Sequence, residues 1–281
     1  MPRLSTFFRH TAVALCTLFA SRAGLAAPPP PRRPRPPTPR YSSWQTKKTS
    51  PFVSLATDAG FIYFRPRLTL GYGAPFWNYV GIQADAISTN SFFQTTVGWR
   101  ATLPFLDCTM SVRTVYPYNR RYLPRQASYA AADVGLDHRG AKRSTYKAVD
   151  LEIAAVAPLL HGGVFLQAHP LFVDAPRNTD LYEEYTRVVL HPPFALGTRG
   201  GYLYGFGEDR NVKVGVMGEY VVLPGRPANV VRAGPVAIAN LSKHFDAFAA
   251  FSFVVASPDT LGLEHGTYAF LGVLHRWAHT F

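Results

Sequence analysis

Cysteine is nearly absent from this 281-residue chain, which has only Cys16 and Cys108. Cys16 lies in a segment expected to be removed, so Cys108 has no intrachain partner and a disulfide framework is excluded. A buried, inert thiol is the expected state of Cys108. Acidic residues are missing from the first fifty positions, whereas nine of the 29 Lys and Arg residues lie there. The formal charge of +12 therefore belongs to the N-terminal tail, and Pro51 to Phe281 is close to neutral. A nucleic-acid partner, which needs a basic stripe on the folded body, loses its main support. Long apolar runs are also missing after the N-terminus. The longest, Ala247 to Ala256, is half of the ~20 residues a bilayer-spanning helix needs, so helical spans are excluded. No HExxH, GxSxG, CxxC or P-loop occurs, and Gly71-Tyr72-Gly73 runs into Pro75 rather than into a helix. No cofactor, no metal site and no catalytic residue is expected.

The N-terminus carries an address. Arg3 and Arg9 precede the apolar run Thr11 to Ala20, then the small residues Ala23 to Ala27, then four prolines. This order reads as a secretory signal peptide over residues 1–26, cleaved after Ala26. It is too short for a membrane anchor, and Leu15 before Cys16 argues against lipidation. Residues 27–50, with eight prolines between Pro28 and Pro39, cannot build a core and are expected to form an extended basic arm. It serves either as a spacer or as a weak tether to an anionic envelope polymer. Export disfavours nucleic acid further.

Residues 51–281 alternate. Phe93, Val97, Trp99 and Leu103 share one parity with Thr95 and Ala101, and Gln94, Thr96, Gly98, Arg100 and Thr102 take the other. Leu106 to Tyr116 sets Leu106, Cys108, Met110 and Val112 against Asp107, Thr109, Ser111 and Arg113. Val212 to Val222 repeats the pattern with Lys213, Gly215, Met217 and Glu219 on the second face. Period-two order with charge on one side is a sheet signature. Twelve strands are expected: Phe61–Tyr72, Asn78–Ile87, Phe92–Thr102, Leu106–Tyr116, Tyr146–Ala157, Gly163–Phe172, Tyr182–His191, Arg199–Phe206, Asn211–Val222, Val231–Leu241, Ala247–Ala256 and Gly266–His279. Ala127 to Leu136 as strand or short helix, and Phe52 to Ala59 as a further strand, leave ten to fourteen open. Most approach the ~9 to 11 residues of a tilted membrane strand, longer than the usual soluble strand. So many antiparallel strands in one chain close on themselves to remove their edges.

Aromatics gather near the expected strand ends, at Phe76, Trp77, Tyr79, Tyr116, Tyr118, Tyr202, Tyr204 and Trp277. The last segment places Leu271, Val273, His275, Trp277 and His279 on the parity of a terminal Phe281. With the signal peptide and strand pattern, this terminal run, marked by Trp277 and Phe281, resembles that of bacterial outer-membrane β-barrel proteins as a class. The resemblance implies an all-β fold, a closed antiparallel transmembrane barrel with its apolar face in outer-membrane lipid. His275 and His279 stand where that class prefers apolar or aromatic groups, and the long connection Pro117 to Thr145 would fall on the short-turn, periplasmic side. The alternative is a secreted soluble β-sandwich or lipocalin-like barrel with the apolar face inward.

With the polar face inward, the lumen charges are Arg65, Arg67, Asp85, Arg100, Asp107, Arg113, Asp150, Glu152, Lys213 and Glu219. Bases and acids balance in this set. Three functions follow: a narrow pore for small solutes, selected by these charges; a closed structural or interaction barrel, with the charges paired; or, with least support, a lipid-modifying enzyme using His169. Nothing selects a nucleophile for His169. His275 and His279 on a strand stand ~13 Å apart, too far for one metal ion. Asp150 and Glu152 share a face, and pairing with arginines of neighbouring strands is their expected state. Asp137 to Arg143 reads as a solvated charged loop, and the sequon Asn240-Leu241-Ser242, at a strand end, is discounted.

Overall fold

The computed structural model describes residues 49–118, 122–134, 145–176, 178–207 and 210–281. The expected signal peptide, nearly all of the proline-rich arm and the loop Asp137 to Arg143 lie outside the described residues.

Twelve long strands close into one antiparallel barrel: β1 (Ser50–Gly60), β2 (Tyr63–Ala74), β3 (Asn78–Thr89), β4 (Phe92–Leu103), β5 (Leu106–Pro117), β7 (Tyr146–Leu159), β8 (Gly162–Asp174), β11 (Phe194–Phe206), β12 (Val212–Val222), β13 (Val230–Asn240), β14 (Phe245–Ala256) and β15 (Tyr268–Thr280). Each pairs with the next in this order, and β1 closes the ring on β15, from Phe52↔Thr280 to Gly60↔Gly272. Closure leaves no unpaired edge, which is what allows backbone polar groups to face lipid. Parity then separates the two faces. On β2, Arg65, Arg67 and Thr69 are covered or half-covered while Leu68, Leu70 and Tyr72 are exposed. Along the barrel, Leu55, Val80, Ile82, Val97, Met110, Val112, Val216 and Leu271 form an exposed apolar band. Aromatics sit toward both strand ends: Tyr72, Tyr204, Phe206 and Trp277 at one, Phe64, Phe93, Tyr116, Phe172 and Tyr220 at the other. An apolar belt between aromatic girdles is the surface a bilayer requires.

The count of twelve holds, but its membership changes. Ser50–Gly60 is a full barrel strand, and the expected strand Tyr182–His191 is not in the barrel wall. That segment splits into β9 (Thr179–Glu183) and β10 (Val188–Leu190), a hairpin reversing through Glu184–Arg187, where Arg187 adopts φ 52°. The alternation in Tyr182–His191 is real but interrupted by this turn. Restoring β1 shifts the phase of every connection. Pro75–Trp77, Pro104–Phe105, Leu160–His161, 207–211 and Leu241–His244 now all lie at the end carrying Ser50 and Thr280, and all are short. The long connections, including 118–145, 175–193 and 257–267, lie at the other end. The misplaced long loop was a consequence of the missing first strand.

The described parts of the long connections fold back as a plug. A three-stranded sheet, ordered β10-β9-β6 with β6 at Tyr122–Pro124, sits with the short helices α1 (Ala131–Val134) and α2 (Gly262–His265). Among the described residues of Ala127 to Leu136 there is α1 and no strand. One face of the hairpin, Leu181, Val188 and Leu190, packs on inward wall residues Ile87, Phe92, Val115, Leu171, Val173, Val221 and Val230. The other face, Tyr182 and Val189, packs on Leu123, Tyr129, Val134 and Leu261. Burying the hairpin on both faces fixes it in the barrel mouth. Each fully covered Val or Leu contributes roughly 1.5–3 kcal/mol.

Candidate functional site

Beneath this apolar seal the lumen is crossed by ion pairs that grip the hairpin from opposite walls. From β5, Arg113, 2% exposed, donates to Asp150 Oδ2 at 2.6 Å, Glu183 Oε1 at 2.8 Å and Gln94 Oε1 at 3.2 Å. Its guanidinium also lies 5.6 Å from the Tyr185 ring centroid. Glu183 is saturated: the Thr186 amide and hydroxyl each donate to Oε2 at 2.6 Å, and the Tyr185 amide and the Tyr146 hydroxyl donate to Oε1 at 3.1 Å. Burial raises the Glu183 pKa, but Arg113 and the Thr186 donors outweigh it and hold the carboxyl below the usual range. From the far wall, β13, Arg232 donates to the Thr186 carbonyl at 2.9 Å, the Arg187 carbonyl at 2.7 Å and Glu219 Oε2 at 2.9 Å. Glu219 Oε1 accepts from Arg199 at 2.8 Å, and Arg199 also donates to the Tyr268 hydroxyl at 2.8 Å.

A second set of charges stitches the outer loops. Asp180 on β9 accepts from the Tyr129 hydroxyl at 2.7 Å and contacts His191 Nδ1 at 2.8 Å. Arg226 reaches Asp180 at 3.5 Å and pairs with Asp259, its guanidinium 4.8 Å from the Tyr129 ring. Burial raises the Asp259 pKa by more than Arg226 lowers it, and burial together with Asp180 raises that of the Tyr129 phenol.

The ten charges singled out in the sequence all lie on the inward parity, and they divide by partner. Arg65 pairs with Asp85 at 3.2 Å, and Arg100 with Asp107 at 3.0 Å. Arg113 and Asp150 belong to the hairpin grip, where His169 Nε2 also meets Asp150 Oδ1 at 2.8 Å, so that imidazole is engaged with a carboxylate. Glu219 joins the Arg199–Arg232 cluster. Arg67 pairs with Asp58 at 3.1 Å, a residue of β1, the strand left open in the sequence as Phe52 to Ala59. Glu152 and Lys213 have no ion-pair partner among the described residues. Trp277 and Phe281 face outward, Trp277 opposite Leu55 and the Phe281 amide bonded to the Pro51 carbonyl at 3.0 Å. Ala26 lies outside the described residues. Missed from sequence were Asp58, Glu183, Arg199 and Arg232. Arg199 and Arg232 were at or beside the expected strand starts, and the signal that recovers them is inward parity once the register is known.

Spaces remain around the grip. Near the hairpin tip, about 250 Å³ lies between Ile62, Asn90 and Ser91 of the outer turns and Tyr63, Arg65, Tyr185, Phe248 and Phe270. A larger chamber of about 670 Å³ fills the opposite half, from Phe105, Pro158 and His161 at the short turns to Arg199, Tyr268 and Phe270. The two spaces share the Phe270 ring. Smaller, polar spaces of about 50 and 30 Å³ flank Arg113 and Arg199.

No protein-family model and no curated protein sequence matches the chain. Among solved structures it is similar to the KdgM porin in complex with disordered oligogalacturonate, with 10% identity and a TM-score of 0.41 over 80% of this chain and 98% of that one. It is also similar to CdiB from Acinetobacter baumannii, with 9% identity and a TM-score of 0.42 over 83% of this chain and 60% of that one. For Omp33 of the same organism the values are 9% and 0.36, over 83% and 99%.

Proposed function

We propose that the chain is a bacterial outer-membrane barrel that conducts small solutes through a narrow passage beside its own inward-folded hairpin. The apolar belt and aromatic girdles support lipid around the barrel. With short turns at the end of Ser50 and Thr280, that end faces the periplasm and the plugged end faces outward. The observation that carries the passage is a pair of spaces with Phe270 in both linings, one among the outer turns at Asn90 and Ser91 and the other reaching the short turns at Phe105 and His161.

The lining explains what such a passage would admit. In the outer space Arg65 and Asp58 are held in ion pairs, with Asp85 and Arg67, so neither ion sign is strongly favoured there. Its other wall is aromatic. Tyr185 and Phe270 both line the outer space, and the hairpin that carries Tyr185 is held by the grip.

Heated and unheated mobility in detergent, followed by conductance in a planar bilayer, tests the reading. A heat-modifiable band with small, steady conductance is expected. The same band with no current would leave a closed structural barrel, with the charges serving the plug alone. Solubility without detergent would remove the membrane itself.

A further inference from the structure

The periplasmic chamber is lined as no water channel requires. Lumen-facing residues of a wet barrel are polar, yet here Phe165, Leu203, Met217, Val236, Ile238 and Phe270 face the chamber. The lower part of β13 is apolar on both sides, with Pro235 and Ala237 outward and Val236 and Ile238 inward. A strand apolar on both faces is normally covered on both. Lipid covers one. Leaving the other against water forgoes roughly 25 cal/mol for each Å². The wall is also shaped rather than collapsed. Gly201 provides the floor for the Phe165 ring, since a Cβ there would stand 2.8 Å from that ring and 2.2 Å from the Val216 carbonyl.

The charged groups in the lining are all basic. Lys213 and Arg210 stand toward the periplasmic opening beside His161, Arg199 stands at the inner end with Glu219 behind it, and no Asp or Glu occurs among the described lining residues. Lys213 is half-buried and without an ion-pair partner among the described residues. Glu208 and Asp209, in the same turn as Arg210, lie outside the described residues.

We propose that this chamber binds a single-chain amphiphile with an anionic head, its chain against Phe165, Leu203, Met217, Val236 and Ile238 and its head at Lys213. The volume of about 670 Å³ is that of a small-molecule site, apolar with few placed polar groups. Charge disfavours the chain's own basic segment, residues 27–50, as occupant, because it would bring arginines to a cationic opening. The inference names the solute class of the proposed passage and rests on that reading only for transport.

The test uses the full chain, as exported, in phosphatidylcholine nanodiscs, titrated with radiolabelled decanoate against protein-free nanodiscs. Saturable binding of one decanoate per barrel is expected, with no competition from decyltrimethylammonium. Ala250→Trp, which puts an indole into the chamber against the apolar lining, should weaken binding. Lys213→Gln should weaken it about tenfold, the effect of losing one charge-assisted hydrogen bond. Should Ala250→Trp fail to give a heat-modifiable barrel, Lys213→Gln carries the test alone. Binding no greater than in empty nanodiscs, unchanged affinity in the folded variants, or equal competition by the cationic amphiphile would overturn the proposal. Binding that appears only after residues 27–48 are deleted would assign the chamber to that segment instead. Saturable binding without conductance would sink the passage and keep the chamber; conductance without saturable binding would do the reverse.

Discussion

Arg232, on β13, donates one hydrogen bond to the carbonyl of Thr186 and another to that of Arg187, and so holds the hairpin turn at the hairpin's own backbone. Its charge is balanced behind by Glu219. The plug is therefore tied to the barrel by a side chain that is 1% exposed, and the tie does not depend on which side chains the turn carries. Replacing Arg232 with Met keeps bulk and removes both bonds. The expected result is a folded barrel with larger, noisier current than wild type, read in planar bilayers.

Arg113 on the opposite wall and Glu183 on the hairpin are both buried, and removing one charge strands the other. Arg113→Met should destabilise the barrel by about 3–5 kcal/mol, the usual consequence of breaking a buried pair. Adding Glu183→Gln should recover part of that loss, because the remaining carboxamide is cheaper to bury. Urea unfolding in detergent micelles of the two single variants and the double variant checks the coupling.

Acid should loosen the plug. The folded Glu183 pKa is lowered, so its ionised form stabilises the gripped hairpin fully above its unfolded value, near 4.5, and that contribution is lost as pH falls toward and through the folded value. Asp259 has the opposite sign: its folded pKa is raised from 3.8, so acidification favours its loop contact and opposes part of the effect. Conductance should rise as pH is lowered below about 4.5, and Glu183→Gln should flatten that dependence.

Neutralised pairs beside the outer space imply weak selectivity there, with a defined direction of change. Asp58→Asn leaves Arg67 without its 3.1 Å partner beside the passage and should shift the reversal potential in a salt gradient toward anions. An unchanged reversal potential would place the current path away from β1 and β2.

The barrel was legible because alternation is a local property, and inward parity is correct wherever a strand is correctly bounded. Arg65, Asp85, Arg113 and Asp150 follow from that parity alone. Their partners are not local: Glu183 reaches Arg113 across 70 positions, and Arg199 and Arg232 meet Glu219 only when β11, β12 and β13 are in register. The hairpin was unreadable for a different reason. Tyr182 and Val189 alternate with Leu181, Val188 and Leu190 as in a barrel strand, because the plug too has two covered faces, one on the barrel wall and one under the outer loops. Phe52 to Ala59 stays open as a strand in the sequence because it carries few large apolar residues. Ser54 and Ala56 face inward and Val53, Leu55 and Thr57 outward, a weak amplitude that pairing with β2 and β15 makes sufficient.

The measurement closest to the central claim is single-channel conductance of the wild-type barrel beside a variant in which Asp180–Leu190 is replaced by a short Gly-Ser link. A plug that narrows a real passage predicts small, steady current in the wild type and a several-fold larger current in the variant, both from heat-modifiable protein. Equal currents, or none in either, would contradict it.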